Sequence, residues 1–174
     1  MLVDETWKQA VEAGNQAYEA GRVAEAEVKF KEALDEAEKF GEADLRLALS
    51  LNNLAAIYHT QGKYTIAEPL YTRSLAIKER VHGQEHPEIA LNLHNLAVLY
   101  SARRMYPVAE KYYKMTIDLK EKLYGKDDRQ LINTLRYYAQ LLKALNRLVD
   151  QALVESRLKD ISGKLPEGPV SAAR

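Results

Sequence analysis

The segment Leu51-Asn52-Asn53-Leu54-Ala55-Ala56-Ile57-Tyr58 returns as Leu93-His94-Asn95-Leu96-Ala97-Val98-Leu99-Tyr100, an offset of 42 residues. The next stretch of chain returns too: Tyr64, Ala67, Glu68 and Tyr71 reappear as Tyr106, Ala109, Glu110 and Tyr113. An earlier copy runs Gly21-Arg22-Val23-Ala24-Glu25-Ala26, with Phe30 and Ala33 behind it. A fainter copy begins at Tyr138-Ala139, keeps register through Leu142 and Asn146, and slips by one residue at Ala152. Self-similarity at such a period means that each copy is one supersecondary unit, which buries its apolar face only by stacking on its neighbours. The chain therefore reads as three good repeats and a degenerate fourth, over about 5–41, 43–83, 87–125 and 128–161.

Within a copy the apolar period is helical. Leu51, Leu54, Ala55 and Tyr58 fall at i, i+3, i+4 and i+7, one face of a helix that Gly62 ends. Ala67, Tyr71, Ser74 and Leu75 make a second stripe, in which small residues let helix axes approach and the tyrosine fills the gap between them. Ala26, Phe30 and Ala33 do the same in the first repeat, and Ala109, Tyr113 and Thr116 in the third. Pro69 is expected in the first turn of its helix and Pro107 at a first position, where a missing N–H costs little. The predicted helices span 5–19, 24–39, 43–60, 65–81, 87–102, 107–123, 128–144 and 149–161. The last is expected to cap the stack, with Val154, Leu158 and Ile161 inward and Glu155, Arg157 and Lys159 in water. Residues 162–174 lack periodicity and read as a flexible tail, whose Leu165 and Pro166 could reach a groove on the stack.

The spacing of small residue, three residues, aromatic after a glycine turn resembles the tetratricopeptide repeat family. The longer period resembles its kinesin-light-chain subfamily, as do His82-Gly83-Gln84-Glu85-His86-Pro87-Glu88-Ile89-Ala90 and Ala67-Glu68-Pro69-Leu70-Tyr71. The resemblance covers about residues 7–161. It implies an all-α, right-handed superhelix of helix pairs (an α-α solenoid), whose concave surface is lined by the first helix of each pair.

Composition agrees with a packed, non-membrane chain. Apolar residues make up 47% and charged residues 29%, and no apolar run approaches the roughly 20 residues of a membrane span. The start, Met1-Leu2-Val3-Asp4-Glu5, has no basic and then apolar leader, so a cytoplasmic location is expected. The absence of cysteine excludes disulfides and thiolate chemistry. The net charge of zero conceals an asymmetry: residues 1–44 carry 12 acids against 5 bases, or −7, leaving +7 on 45–174. Such charges either solvate outward faces or let an acidic end meet the basic end of a second copy. No concentrated basic stripe of the kind nucleic acid requires is present.

Helical rotation of about 100° per residue identifies the groove lining. Opposite the Leu51 stripe lie Leu49, Asn53 and Ala56, flanked by Asn52 and His59; the third repeat places Leu91, Asn95 and Val98 there, flanked by His94. The last pair contributes Arg136, Tyr137, Gln140 and Lys143, and the first contributes Lys8 and Asn15. A carboxamide both donates and accepts, so Asn53 and Asn95 suit the backbone of an extended peptide, or alternatively bridge neighbouring helices. Family resemblance adds a negative. Carboxylate-clamp domains of this family need two Asn, matched by Asn15 and Asn53, together with bases, whereas Val11, Leu91 and Asn95 stand at the basic positions. Kinesin-light-chain-like grooves take linear segments of aromatic and acidic character, for which Lys8, Arg136 and Lys143 are the available cations.

Nothing indicates catalysis, a cofactor or a metal. His82-Gly83-Gln84-Glu85-His86 matches H-x-x-E-H literally, but that motif works on a continuous helix, whereas Gly83 and Pro87 make this segment a turn that starts the next helix. His59 and His94 read as separate polar groove residues; together across the groove they would titrate near pH 6.5. The reading is a non-enzymatic adaptor that binds a linear segment of a partner protein, as a monomer or weak homo-oligomer. The alternative is self-assembly by end-to-end stacking of the solenoid.

Overall fold

The computed structural model describes residues 2–164. Among them the regular elements are α1 (Leu2–Glu19), α2 (Val23–Glu38), α3 (Leu45–Thr60), α4 (Tyr64–His82), α5 (Pro87–Ala102), α6 (Tyr106–Tyr124), α7 (Ile132–Ala144) and α8 (Leu148–Gly163), with a 3-10 turn Arg129–Leu131 before α7. They form four helical hairpins, α1–α2, α3–α4, α5–α6 and α7–α8, and the second helix of each hairpin packs on the first helix of the next. First helices also touch one another, α3 to α5 and α5 to α7, so they make one continuous face.

The stripes expected from sequence are the core. Ala26, Ala67 and Ala109 are wholly buried, and Phe30, Tyr71 and Tyr113 beside them are nearly so. The alanines let the helices of a hairpin close and the rings fill the wedge that the next hairpin would otherwise leave open. Glutamates staple the stack. Glu68 accepts from Tyr100 Oη at 2.7 Å and pairs with Arg103, while Glu110 accepts from Tyr138 Oη at 3.1 Å and from Arg147.

The turn inside each hairpin has one hydrogen-bond pattern. After α3, Gly62 N–H donates to His59 C=O and Lys63 N–H to Tyr58 C=O, the paired bonds of a Schellman cap, with Gly62 at φ 72°. The same pair of bonds follows α1, α5 and α7. Where the first two turns use Gly21 and Gly62, the later two force Arg104 (φ 58°) and Asn146 (φ 57°) into the left-handed region. Between hairpins, Asp44, His86 and Asp128, spaced by 42, each accept a backbone N–H two residues on.

The structure departs from expectation in several places. Pro69 is the sixth residue of α4, past the first turn. The partner its missing N–H denies is the carbonyl of Thr65, an exposed residue. The helix expected over 128–144 is broken, because the Asp128 cap closes a 3-10 turn before α7 begins at Ile132. α8 continues to Gly163, into the segment expected to be tail, and Lys164 pairs with Asp127 at 2.6 Å; the rest of that segment, 165–174, including Leu165 and Pro166, lies outside the described residues. Nor is α8 a polar cap. Ile161 is buried and Val154 and Leu158 half-buried as expected, but Leu148, Val149 and Leu153 are 60–78% exposed.

A polar ladder runs through the packed interior. Ser50, Asn92 and Thr134, again spaced by 42, are each fully buried on first helices. Ser50 Oγ accepts from Trp7 Nε1 at 2.9 Å; Asn92 Nδ2 donates to Tyr71 C=O at 3.0 Å; Thr134 Oγ1 accepts from Lys120 Nζ at 3.0 Å. Lys78 is only 2% exposed, and its Nζ donates to Asn92 Oδ1 at 2.8 Å and faces Glu88 Oε2 at 3.4 Å. Desolvation lowers the pKa of Lys78, against the pull of Glu88.

Candidate functional site

The face built by α1, α3, α5 and α7 carries the residues named from helical rotation. Leu49 and Leu91 are 38% and 50% exposed, and Tyr137 is 42% exposed while its neighbour Tyr138 is buried. Lys8, Asn15, Arg136, Gln140 and Lys143 are exposed; Asn53, Ala56, His59, His94, Asn95 and Val98 are half-buried. Asn52 departs from expectation. It is buried, and its Oδ1 accepts from Asn95 Nδ2 at 3.1 Å, so this pair bridges α3 to α5. Asn95 thus has its donor committed to the stack and its carbonyl oxygen left for other partners. Asn53 has no side-chain hydrogen bond among the described residues. Two of the cations are engaged locally, Lys8 with Asp4 at 2.7 Å and Arg136 with Asn133 at 3.3 Å.

Two clefts open along these helices. The first, about 250 Å³, is walled by Trp7, Leu45, Leu49 and Leu91, with Arg46, Asn52, Lys78 and Glu88 around them. The second, about 290 Å³, lies among His59, Val98, Ser101, Tyr106, Tyr137 and Gln140. Leu91 and Val98 are seven residues apart on α5, roughly 10 Å at 1.5 Å per residue. That matches about three residues of extended chain. Trp7, Lys78 and Glu88 were not among the residues expected from sequence. The one signal for Lys78 was its register, the next i+4 step of the α4 stripe Ala67–Tyr71–Ser74, which its charge outweighed.

The two groove histidines are separate, as expected, and neither is an ordinary titrating group. His94 stands edge-on to Tyr137 and Tyr113, with ring centroids 5.3 Å and 6.0 Å away. Its Nδ1 is 3.4 Å from Thr134 Oγ1. That hydroxyl also accepts from Lys120 Nζ at 3.0 Å. Burial, with Lys120 adding to it, pushes His94 down to about 4. His59 packs on Tyr64 at 5.3 Å, and burial lowers its pKa as well. Its Nε2 is buried without a hydrogen-bond partner, at the edge of the second cleft.

The α4–α5 turn corrects one argument made from sequence. Gly83 and Pro87 do not keep His82 and His86 apart: the rings stack 3.7 Å apart at 7°. Glu85 goes elsewhere, to Lys122, and the carboxylate that joins the histidines is Glu88. Donor atoms of His82, His86 and Glu88 all lie within 4.8 Å of one another, so this is the group able to hold a metal among the described residues.

The tetratricopeptide repeat profile matches residues 7–80 and 46–122. The chain belongs to the tetratricopeptide repeat family, whose repeats are protein-interaction scaffolds. Its fold is that of the kinesin-light-chain-like members. BtubC (BKLC) from P. vanneervenii superposes with a TM-score of 0.84 at 24% identity, over 99% of this chain and 70% of that one. Two crystal structures of nearly identical TPR-like repeats, assigned to kinesin light chain of Podosopora anserina, give 0.78 and 0.76 at 18% identity. They cover 91% and 93% of this chain, and 75% and 77% of theirs. No curated protein matches the chain. No helix among the described residues is long and apolar enough to cross a membrane.

Proposed function

We propose that the chain is a non-catalytic adaptor that takes a linear segment of a partner protein along the face of its first helices. The observation that carries this reading is the pair of apolar-walled clefts on that face, one repeat step apart, separated by carboxamides. Leu49, Leu91 and Tyr137 are large, apolar and exposed where a helical repeat has no internal need to expose them. A segment with apolar side chains about three residues apart fills both clefts, and its backbone passes Asn53 and the carbonyl oxygen of Asn95.

The test is a selection of linear binders from a random peptide library, followed by affinity measurements on variants. Leu91→Glu in the first cleft and Tyr137→Ala in the second should each weaken the selected peptides at least tenfold. Lys111→Glu, exposed on α6, should leave them unchanged. Peptides that bind the two cleft variants as well as the wild type would remove the groove from the proposal.

A second reading, end-to-end self-assembly, is favoured by one observation: the exposed Leu148, Val149 and Leu153 on α8, the last helix among the described residues. Light scattering over a concentration and salt series decides it. A wild type that stays monomeric at high concentration and low salt would end this alternative.

A further inference from the structure

The same three turn positions recur between hairpins, and their occupants differ in kind. Between the first two hairpins they are Phe40, Asp44 and Arg46, a closed cluster in which the guanidinium lies 3.4 Å from the Phe40 ring centroid and pairs with Asp44 at 2.7 Å. Between the last two they are Tyr124, Asp128 and Gln130. Between the middle two they are His82, His86 and Glu88, so all three positions have become metal-donor residues together.

The middle cluster does not close on itself as the first does. His82 Nε2 is buried and has no hydrogen-bond partner; the closest carboxylate atom, Glu88 Oε1, is 4.0 Å away. A buried polar atom left in that state is destabilising, and an ion is one of the standard reasons for tolerating it. Glu88 is already oriented. Its second oxygen faces Lys78, which is held in turn by Asn92, the arrangement by which outer groups aim a ligand.

From this geometry we propose that the α4–α5 turn binds a divalent transition-metal ion of the zinc class through His82, His86 and Glu88. Two imidazoles and a carboxylate with the remaining position open to water are a donor set suited to such ions. Bonds of about 2.1 Å place tetrahedral donors roughly 3.4 Å apart. The present spread of up to 4.8 Å therefore closes by about an ångström or more as the stacked rings fan apart. The ion competes with one existing bond, since His86 Nδ1 accepts the Glu88 N–H at 3.3 Å, a long cap. Affinity is accordingly expected in the micromolar range rather than that of a closed structural site.

The experiment is calorimetric titration of zinc chloride into the full chain at pH 7.5, with cobalt absorption as a second readout of the donor set. One site per chain is expected. His82→Phe, which installs the residue of the first turn, and Glu88→Gln should each weaken binding at least tenfold with helicity by circular dichroism retained. Glu85→Gln, the carboxylate of the literal H-x-x-E-H motif, should leave binding unchanged. Zinc binding that is absent from the wild type, equal in His82→Phe, or lost in Glu85→Gln would overturn the assignment.

Discussion

Mild acid should destabilise this fold through His94, well before its carboxylates titrate. In the native state burial holds the imidazole neutral, with a pKa of about 4 against 6.5 when exposed. Below 6.5 the unfolded chain takes up a proton at this site while the native chain does not, so unfolding is increasingly favoured as pH falls. The loss ends near pH 4, where the native state also protonates. Between pH 7 and pH 5 the linkage relation for these two values gives about 2 kcal/mol. Glu27 and Glu110, held near 2 from 4.5, act in a lower window: their contribution is present above 4.5 and is lost as pH falls towards 2. The assay is urea unfolding of wild type and His94→Gln at pH 7, 6 and 5. His59, also lowered by burial, adds a slope common to both proteins that cancels in the difference. The wild type should lose about 2 kcal/mol more than the variant between pH 7 and pH 5. Parallel pH dependence of the two would refute the buried, neutral imidazole.

The polar ladder and the turns supply further tests. Asn92→Ala removes the nearer acceptor of the buried Lys78 ammonium, leaving Glu88 at 3.4 Å, and should cost about 2–3 kcal/mol in urea unfolding. The double replacement Lys78→Met with Asn92→Leu removes charge and partner together and should lie within about 1–2 kcal/mol of wild type; a single variant as mild as the double would contradict the pairing. Arg104→Gly relieves a left-handed residue at a cap whose equivalents are Gly21 and Gly62, and should stabilise by about 1 kcal/mol. That raises Tm by about 2–4 °C in calorimetry. No rise would mean that the turn is not strained by its side chain.

The architecture was legible because the repeat writes each packing rule three times. Alanine at 26, 67 and 109 and an aromatic four residues later admit one solution, a hairpin closed on a small residue and wedged by a ring. Boundaries were less legible where a side chain reassigns a few backbone bonds, as Asp128 does in splitting off a 3-10 turn before α7. Of the groove, the exposed Leu49, Leu91 and Tyr137 followed from rotation alone. Asn52 did not, because 100° steps place it at the groove edge while the approach of α5 covers it and gives it Asn95 as a partner. Lys78 and Glu88 were hidden for a different reason: charged residues are read as solvated, and only the tertiary arrangement shows one of them at 2% exposure.

Identity between repeats and difference between repeats divide the work of this chain. The positions that repeat (alanine slot, aromatic wedge, turn caps) are those whose side chains touch only the neighbouring helix pair, and any copy can stack on any other through them. The positions that diverge include part of the first-helix face, where His59 and Ala56 become Ser101 and Val98, and the turns between hairpins, where Phe40 and Arg46 become His82 and Glu88. Ser50, Asn92 and Thr134 join the two sets, because each fills the same buried slot while presenting a different donor and acceptor pattern to its surroundings. Asn92 alone accepts from a buried lysine, which in turn faces Glu88 at the rim of the first cleft. A change in one repeat's buried polar residue therefore reaches the first-helix face by two contacts.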